Sequence, residues 1–250
     1  MKFTAIIPAR YASSRFPGKP LALLGDRPVI EHVYRRVAEV IPDAVVATDD
    51  ARILKAVRDF GGRAVMTSTE HRSGTDRCRE AAANIATDAD VIINVQGDEP
   101  FIAASQLRAL MKCFDAPEVD IASLARPFAA ENGYDALADP NLVKVVMDND
   151  MHALYFSRSV IPYVRDAERR RTLEGTKFYT HVGVYAYRRE VLNALASLPP
   201  APLETAESLE QLRWLSAGYT ISMGLTTLPT IGIDTPADLE AAREYFKTLN

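Results

Sequence analysis

The chain has 250 residues, 48% of them apolar and 25% charged, with a net charge of −4 and two cysteines. That length suffices for a large core in one domain, and the acidic balance argues against a general nucleic-acid binder. No apolar run approaches the ~18 residues of a membrane span, the first strand begins too early to leave room for a signal peptide, and Cys78 and Cys113 lack metal-type spacing, so free thiols in a reducing cytoplasm are expected.

Residues 3–7 form a short β-branched apolar run ending at Pro8, the pattern of a buried strand. The following loop carries Arg10, Arg15 and Lys19 among small residues that let a ligand approach the backbone closely. A strand that feeds a basic, small-residue loop ahead of a helix is a common α/β arrangement for phosphates. Helical periodicity runs over 29–40, with Val29, Val33, Val37 and Val40 on one face. A strand is expected at 44–48, ending in Asp49-Asp50, then a helix at 53–60 stopped by Gly61-Gly62. A strand at 63–67, a helix at 75–86 and a fully apolar strand at 91–95 complete a βα alternation, which implies a parallel sheet with right-handed crossovers. The polar loops 10–19, 49–50, 71–77 and 96–100 then fall at the carboxyl ends of strands, where such sheets bind ligands.

Beyond residue 119 the strand signals at 121–126, 143–148, 153–156 and 181–187 are less often separated by helices, so a mixed sheet is expected. The charged stretch 166–177 has no apolar face and reads as a mobile solvated loop. A helix over 205–217, a strand over 222–226 and a closing helix over 238–248 end the chain. No internal repeat, low-complexity segment or linker divides it.

Several groups can carry chemistry. Asp98, in Gln96-Gly97-Asp98-Glu99-Pro100 after the fourth strand, is suited to hold Mg²⁺ on a bound phosphate, although an acidic turn has the same pattern. Asp234 is a second carboxylate of this kind, a helix N-cap, or the neighbour of a cap at Thr235. In His71-Arg72-Ser73-Gly74-Thr75-Asp76-Arg77, short polar groups precede a helix. Arg77 opposes that helix's dipole in its first turn, which points to an anionic or polar partner. Arg158, His181, Tyr185, Glu210 and Gln211 together offer an arginine for a carboxylate and partners for hydroxyls, as an acidic sugar requires. The four histidines lack paired metal spacing, and neither a Walker loop nor a nucleophile elbow occurs, leaving positioning and charge neutralisation as the economical mechanism.

The segments ARYASSRFPGKP, VATDD, HRSGTDR, NVQGDEP, VKVVMD, ALYFSRSVIP, HVGVYAYR, LEQLRWL and GIDTPADLE cover most of the chain. In this order they resemble the 3-deoxy-manno-octulosonate (Kdo) cytidylyltransferase family, the CMP-Kdo synthetases. RFPGKP separates the chain from CMP-sialic acid synthetases, while Cys78 replaces an expected aliphatic residue. The resemblance implies a Rossmann-like α/β nucleotide-diphospho-sugar transferase fold, with a mixed, mostly parallel sheet flanked by helices. One nucleotidyltransferase domain would span 1–250, with 119–220 supplying the sugar side and a homodimer surface. It implies cytoplasmic transfer of CMP from CTP to Kdo, with release of pyrophosphate, for the lipopolysaccharide inner core. By that resemblance Arg10, Arg15 and Lys19 contact the triphosphate, and Lys19 steadies the reacting phosphate. Ser73, Arg77 and Gln96 face cytidine or its junction with the sugar, and Asp98 and Asp234 hold Mg²⁺. Arg158, Gln211, His181, Tyr185 and Glu210 engage Kdo. Transfer to another sugar, such as 8-amino-Kdo or a sugar 1-phosphate, and a non-enzymatic nucleotide or sugar sensor are the rival readings. A sensor would have no use for two metal carboxylates.

Overall fold

The computed structural model describes residues 1–71, 73–165 and 171–248. Its packing separates two compact units. The first comprises Met1–Arg108, Ala186–Ala196 and Thr230–Asn250, and the second Ala109–Tyr185 and Ser197–Pro229. The stretch 119–220 therefore belongs mostly to the second unit, with Ala186–Ala196 in the first.

The first unit is built on four parallel strands in the spatial order Val91–Asn94, Phe3–Ala9, Ala44–Thr48 and Ala64–Met66. Every residue of Val91–Asn94 and Ala44–Thr48 is buried, which is why these strands read as unbroken apolar runs rather than alternating ones. Register fixes the site: Ile6 lies opposite Asn94 on one side, and Ala9 lies opposite Thr48 on the other. The loops after Ala9, Thr48 and Asn94 consequently emerge at one edge of the sheet. Val29–Val40 buries Val29, Ile30, Val33 and Val37 completely, and each full burial of such a side chain is worth about 1.5–3 kcal/mol. Asp50 caps the helix Ala51–Asp59, and Gly61, at φ 81°, turns the chain out of it. Cys78 is fully buried and packs as a small apolar side chain, so the departure from an aliphatic residue is a modest one.

In the second unit Ile221–Leu225 runs parallel to Ile121–Pro127, whereas Lys144–Met147 runs antiparallel to Ala153–Ser157 and to the start of Tyr179–Arg188. The mixed sheet expected from the later half is thus present. The helix expected over 205–217 is two, Pro202–Glu207 and Gln211–Ser216, separated at Ser208 with φ 51°. A left-handed, non-glycine residue ends a helix regardless of the apolar periodicity on either side. Helices Ala104–Lys112 and Arg189–Leu195, and a short hairpin of Leu23–Leu24 with Arg27–Pro28, were not anticipated. Of the charged stretch, 166–170 lies outside the described residues, as does Arg72; in the remainder Thr172 is buried and Arg171 pairs with Glu174 at 3.2 Å. Among the described residues no helix is long and apolar enough to cross a membrane.

Candidate active site

A cavity of about 320 Å³ opens at the strand edge of the first unit. Arg10, Arg15, Lys19, Ser73, Arg77, Gln96, Asp98 and Asp234 all line it, with Pro8, Ala12, Ser13, Ser14 and Gly97. Every residue assigned from sequence to the nucleotide or the metal is therefore gathered in one place.

The basic loop is shaped locally. Gly18 has φ 75°, a conformation glycine adopts without strain, and its N–H donates to the Tyr11 carbonyl at 2.8 Å. A Cβ there would lie 3.1 Å from the Tyr11 ring. The Arg52 guanidinium lies over that ring, 3.3 Å from its centroid. Arg52 in turn donates to both oxygens of Asp50, at 3.0 and 2.7 Å. The loop is thus steadied by the capped start of the next helix. Gly97 is required for another reason: a Cβ would come within 2.7 Å of the Pro8 carbonyl oxygen, so any side chain would push the Asp98 loop off the first strand.

Asp98 and Asp234 are 136 residues apart in sequence, and packing unites them. Ile233 is fully buried in a cluster with Leu24, Val29, Phe101, Leu239 and Ala242. Its backbone N–H donates to the Asp98 carbonyl at 2.9 Å. Thr235 caps the last helix, accepting from the Asp238 N–H, while the Asp238 side chain accepts from the Thr235 N–H at 2.8 Å. Of the two capping residues left open by the sequence, Asp234 and Thr235, the cap is Thr235. The Asp234 carboxylate is directed elsewhere: Lys19 Nζ lies 3.2 Å from its Oδ1, and Arg15 Nη2 lies 3.1 Å from its Oδ2. Lys19 Nζ also lies 2.5 Å from Asp98 Oδ2. Next to it, burial and the Asp98 charge push the Glu99 carboxyl up to about 8.

Arg77 has a partner of its own. It is almost wholly buried, and donates to Asp49 Oδ2 at 2.6 Å and Thr67 Oγ1 at 2.5 Å. The anionic partner suggested by its place in a first helical turn is Asp49. Ser73 caps that helix by accepting from the Asp76 N–H at 3.1 Å.

The sugar-side candidates all lie in the second unit. The His181 ring packs edge-on to Phe156 and beside Tyr185, with centroids 5.0 and 5.3 Å away. Its Nε2 lies 2.9 Å from Ser123 Oγ. Ser123 has one hydrogen, directed at the carbonyls of Val184 (2.9 Å) and Val182 (3.3 Å), so Nε2 carries the imidazole proton and donates it. Burial lowers the His181 pKa to about 3 and keeps the ring neutral. Tyr185 is buried and packs edge-on to Trp214 at 5.0 Å. Burial, with Glu210 adding to it, raises its phenol well above the ordinary range. Gln211 is buried as well.

Arg158 is spoken for by the protein. Its Nε donates to the Glu207 carbonyl at 2.6 Å, Nη1 to Pro140 at 2.9 Å and Nη2 to Ser208 at 3.3 Å. The Glu207 carboxylate accepts from Ser157 Oγ at 2.6 Å and from the Arg158 N–H at 2.9 Å. Lys144 is fully buried nearby, donating to the Asp139 carbonyl at 3.0 Å, and burial lowers its pKa. Glu207, Lys144, Ser123 and Arg52 were not singled out from sequence. Only Lys144 carried a signal, a charge inside an otherwise apolar strand.

Comparisons with known proteins place the chain in a family. A family model described as Cytidylyltransferase matches residues 4–221. A 3-deoxy-manno-octulosonate cytidylyltransferase from Bacteroides thetaiotaomicron is 55% identical over 247 residues, covering 99% of each chain. This chain belongs to the 3-deoxy-manno-octulosonate cytidylyltransferase family. A further member from Geobacter metallireducens is 48% identical, covering 98% of this chain and 97% of its own. A solved CMP:2-keto-3-deoxy-manno-octonic acid synthetase complexed with CTP aligns over the whole of both chains at TM-score 0.92 and 43% identity. A putative glucose-1-phosphate thymidylyltransferase from Bacillus anthracis aligns at TM-score 0.66 and 16% identity, covering 99% of this chain and 96% of its own, which shows the shared nucleotidyltransferase fold alone.

Proposed function

We propose that this chain transfers CMP from CTP to Kdo, forming CMP-Kdo and releasing pyrophosphate. The observation that carries the reading is the cavity that sets Arg10, Arg15 and Lys19 against Asp98 and Asp234. A polyanionic triphosphate needs cations along its length. In-line displacement at phosphorus needs charge control more than covalent help.

The donor set also fits Mg²⁺. Two carboxylates, 28% and 49% exposed, stand beside room for phosphate oxygens, and Mg²⁺ is commonly held by one or two carboxylates with substrate phosphates and water completing its shell. Asp98 and Asp234 would hold the ion, which would neutralise phosphate charge and align the reacting groups. Arg10 and Arg15 bind the outgoing pyrophosphate portion, and Lys19 steadies negative charge developing at the α-phosphate. Ser73 and Gln96 meet cytidine, and Arg77 shapes that wall through its pair with Asp49. His181, Tyr185, Glu210 and Gln211 are assigned to Kdo, with His181 acting as a neutral imidazole. The Kdo 2-hydroxyl oxygen forms its bond to the α-phosphorus and gives up its proton to solvent, while the bond to pyrophosphate breaks on the opposite side.

The enzyme works as a cytoplasmic homodimer that supplies activated Kdo for the lipopolysaccharide inner core. Incubation with CTP, Mg²⁺ and Kdo should release pyrophosphate and give CMP-Kdo by mass. Release with a sugar 1-phosphate but not with Kdo would overturn the assignment, and size-exclusion chromatography with light scattering tests the dimer.

A further inference from the structure

We propose that Lys19 and the divalent ion take turns at a single position. The Lys19 ammonium bridges Asp98 and Asp234 until a triphosphate draws it away, so the ion enters only with the nucleotide. The inference rests on the reading that these two carboxylates hold the ion. Lys19 Nζ touches one oxygen of each, at 2.5 and 3.2 Å, and its side chain is only 11% exposed. An ion held by the pair would need their oxygens, and an ammonium already hydrogen-bonded to one oxygen of each competes for them and repels the incoming charge.

The way out for the ammonium is built into the loop. The Lys19 backbone is fixed between Gly18, at φ 75°, and the buried Pro20, while its four-carbon stem is flexible. The stem lines the cavity together with Arg10 and Arg15, the loop cations assigned to the triphosphate. A phosphate oxygen there offers Nζ a charged acceptor in exchange for the carboxylates. Arg15, 3.1 Å from Asp234 Oδ2, can make the same exchange. Cations move from carboxylate to phosphate, and the carboxylates become available to the ion that accompanies the phosphates.

Mn²⁺ binding followed by electron paramagnetic resonance, without Kdo and hence without turnover, tests this. Wild type without CTP should bind Mn²⁺ weakly. Lys19→Met should bind it at least tenfold more tightly, Lys19→Arg should show no gain, and Lys19→Met combined with Asp98→Asn should lose the gain. Should Lys19→Met fold poorly, Arg15→Ala, at a 64% exposed side chain, should give a smaller gain in the same direction. No gain in Lys19→Met or Arg15→Ala, with Asp98→Asn still weakening Mn²⁺ binding to the CTP complex, would overturn the exchange and leave the metal reading standing. Mn²⁺ binding to the CTP complex that is indifferent to both Asp98→Asn and Asp234→Asn would overturn both.

Discussion

The Arg158 guanidinium donates through Nε to the backbone carbonyl of Glu207 at 2.6 Å, one residue before the left-handed turn at Ser208 that introduces Glu210 and Gln211. Its other two nitrogens reach Pro140 and Ser208. Arg158 therefore ties the end of the Ala153–Ser157 strand to the turn that closes helix Pro202–Glu207 and precedes the two sugar-side candidates Glu210 and Gln211.

An ammonium cannot span three carbonyls in different directions, so Arg158→Lys should lose stability of about 1.5–3 kcal/mol, the scale of hydrogen bonds to charged groups. Through displacement of Glu210 and Gln211 it should raise KM for Kdo while leaving KM for CTP nearly unchanged. Urea melts and steady-state kinetics measure both. Unchanged stability with lost Kdo affinity would mean that the guanidinium leaves the carbonyls for the sugar carboxylate.

Arg77→Met should be destabilising by about 3 kcal/mol or more, because it leaves the Asp49 carboxylate without its cation. Arg77→Met combined with Asp49→Leu should recover part of the loss. A double-mutant cycle on denaturation midpoints reads the coupling. Loss of CTP affinity at full stability would instead make Arg77 a ligand residue.

Asp234→Asn should shift the Mg²⁺ requirement to higher concentration and slow turnover, without the melting loss that a broken helix cap brings. The cap and its reciprocal bonds belong to Thr235 and Asp238. Thr235→Ala should show the reverse: about 1 kcal/mol of stability lost with little change in Mg²⁺ dependence. Mg²⁺ titrations and thermal melts on the two variants separate the roles.

His181 gives a signed pH dependence. Its folded pKa is lowered to about 3 from the ordinary 6.5. Folding therefore favours the neutral ring, and the contribution is complete above 6.5 and is lost as pH falls below it. His181→Gln should flatten the decline in stability between pH 6.5 and 5, above the range where most carboxylates titrate. An identical slope in wild type and variant would show that the ring gains protons as readily folded as unfolded.

The sequence by itself determined the parallel half of the fold and the chemical inventory of the nucleotide site. Strands buried on both faces need unbroken apolar runs, and a loop that meets phosphate needs cations among small residues, so Ile6, Val46, Ile92, Arg10, Arg15 and Lys19 declare themselves locally. Tertiary structure alone decided which groups face one another. Thr235 caps the last helix through reciprocal bonds with Asp238, whereas Asp234 is brought to Asp98 by the burial of Ile233 and its bond to the Asp98 carbonyl, contacts that span more than a hundred residues. The partner of Arg77 came from the end of a different strand, and those of Arg158 from carbonyls, which carry no residue identity to read. Ser208 breaks a helix that periodicity draws as continuous: its backbone is left-handed where Arg158 holds the carbonyls of Glu207 and Ser208, a contact made across about fifty residues. Charge type is written residue by residue, whereas charge pairing is a property of packing.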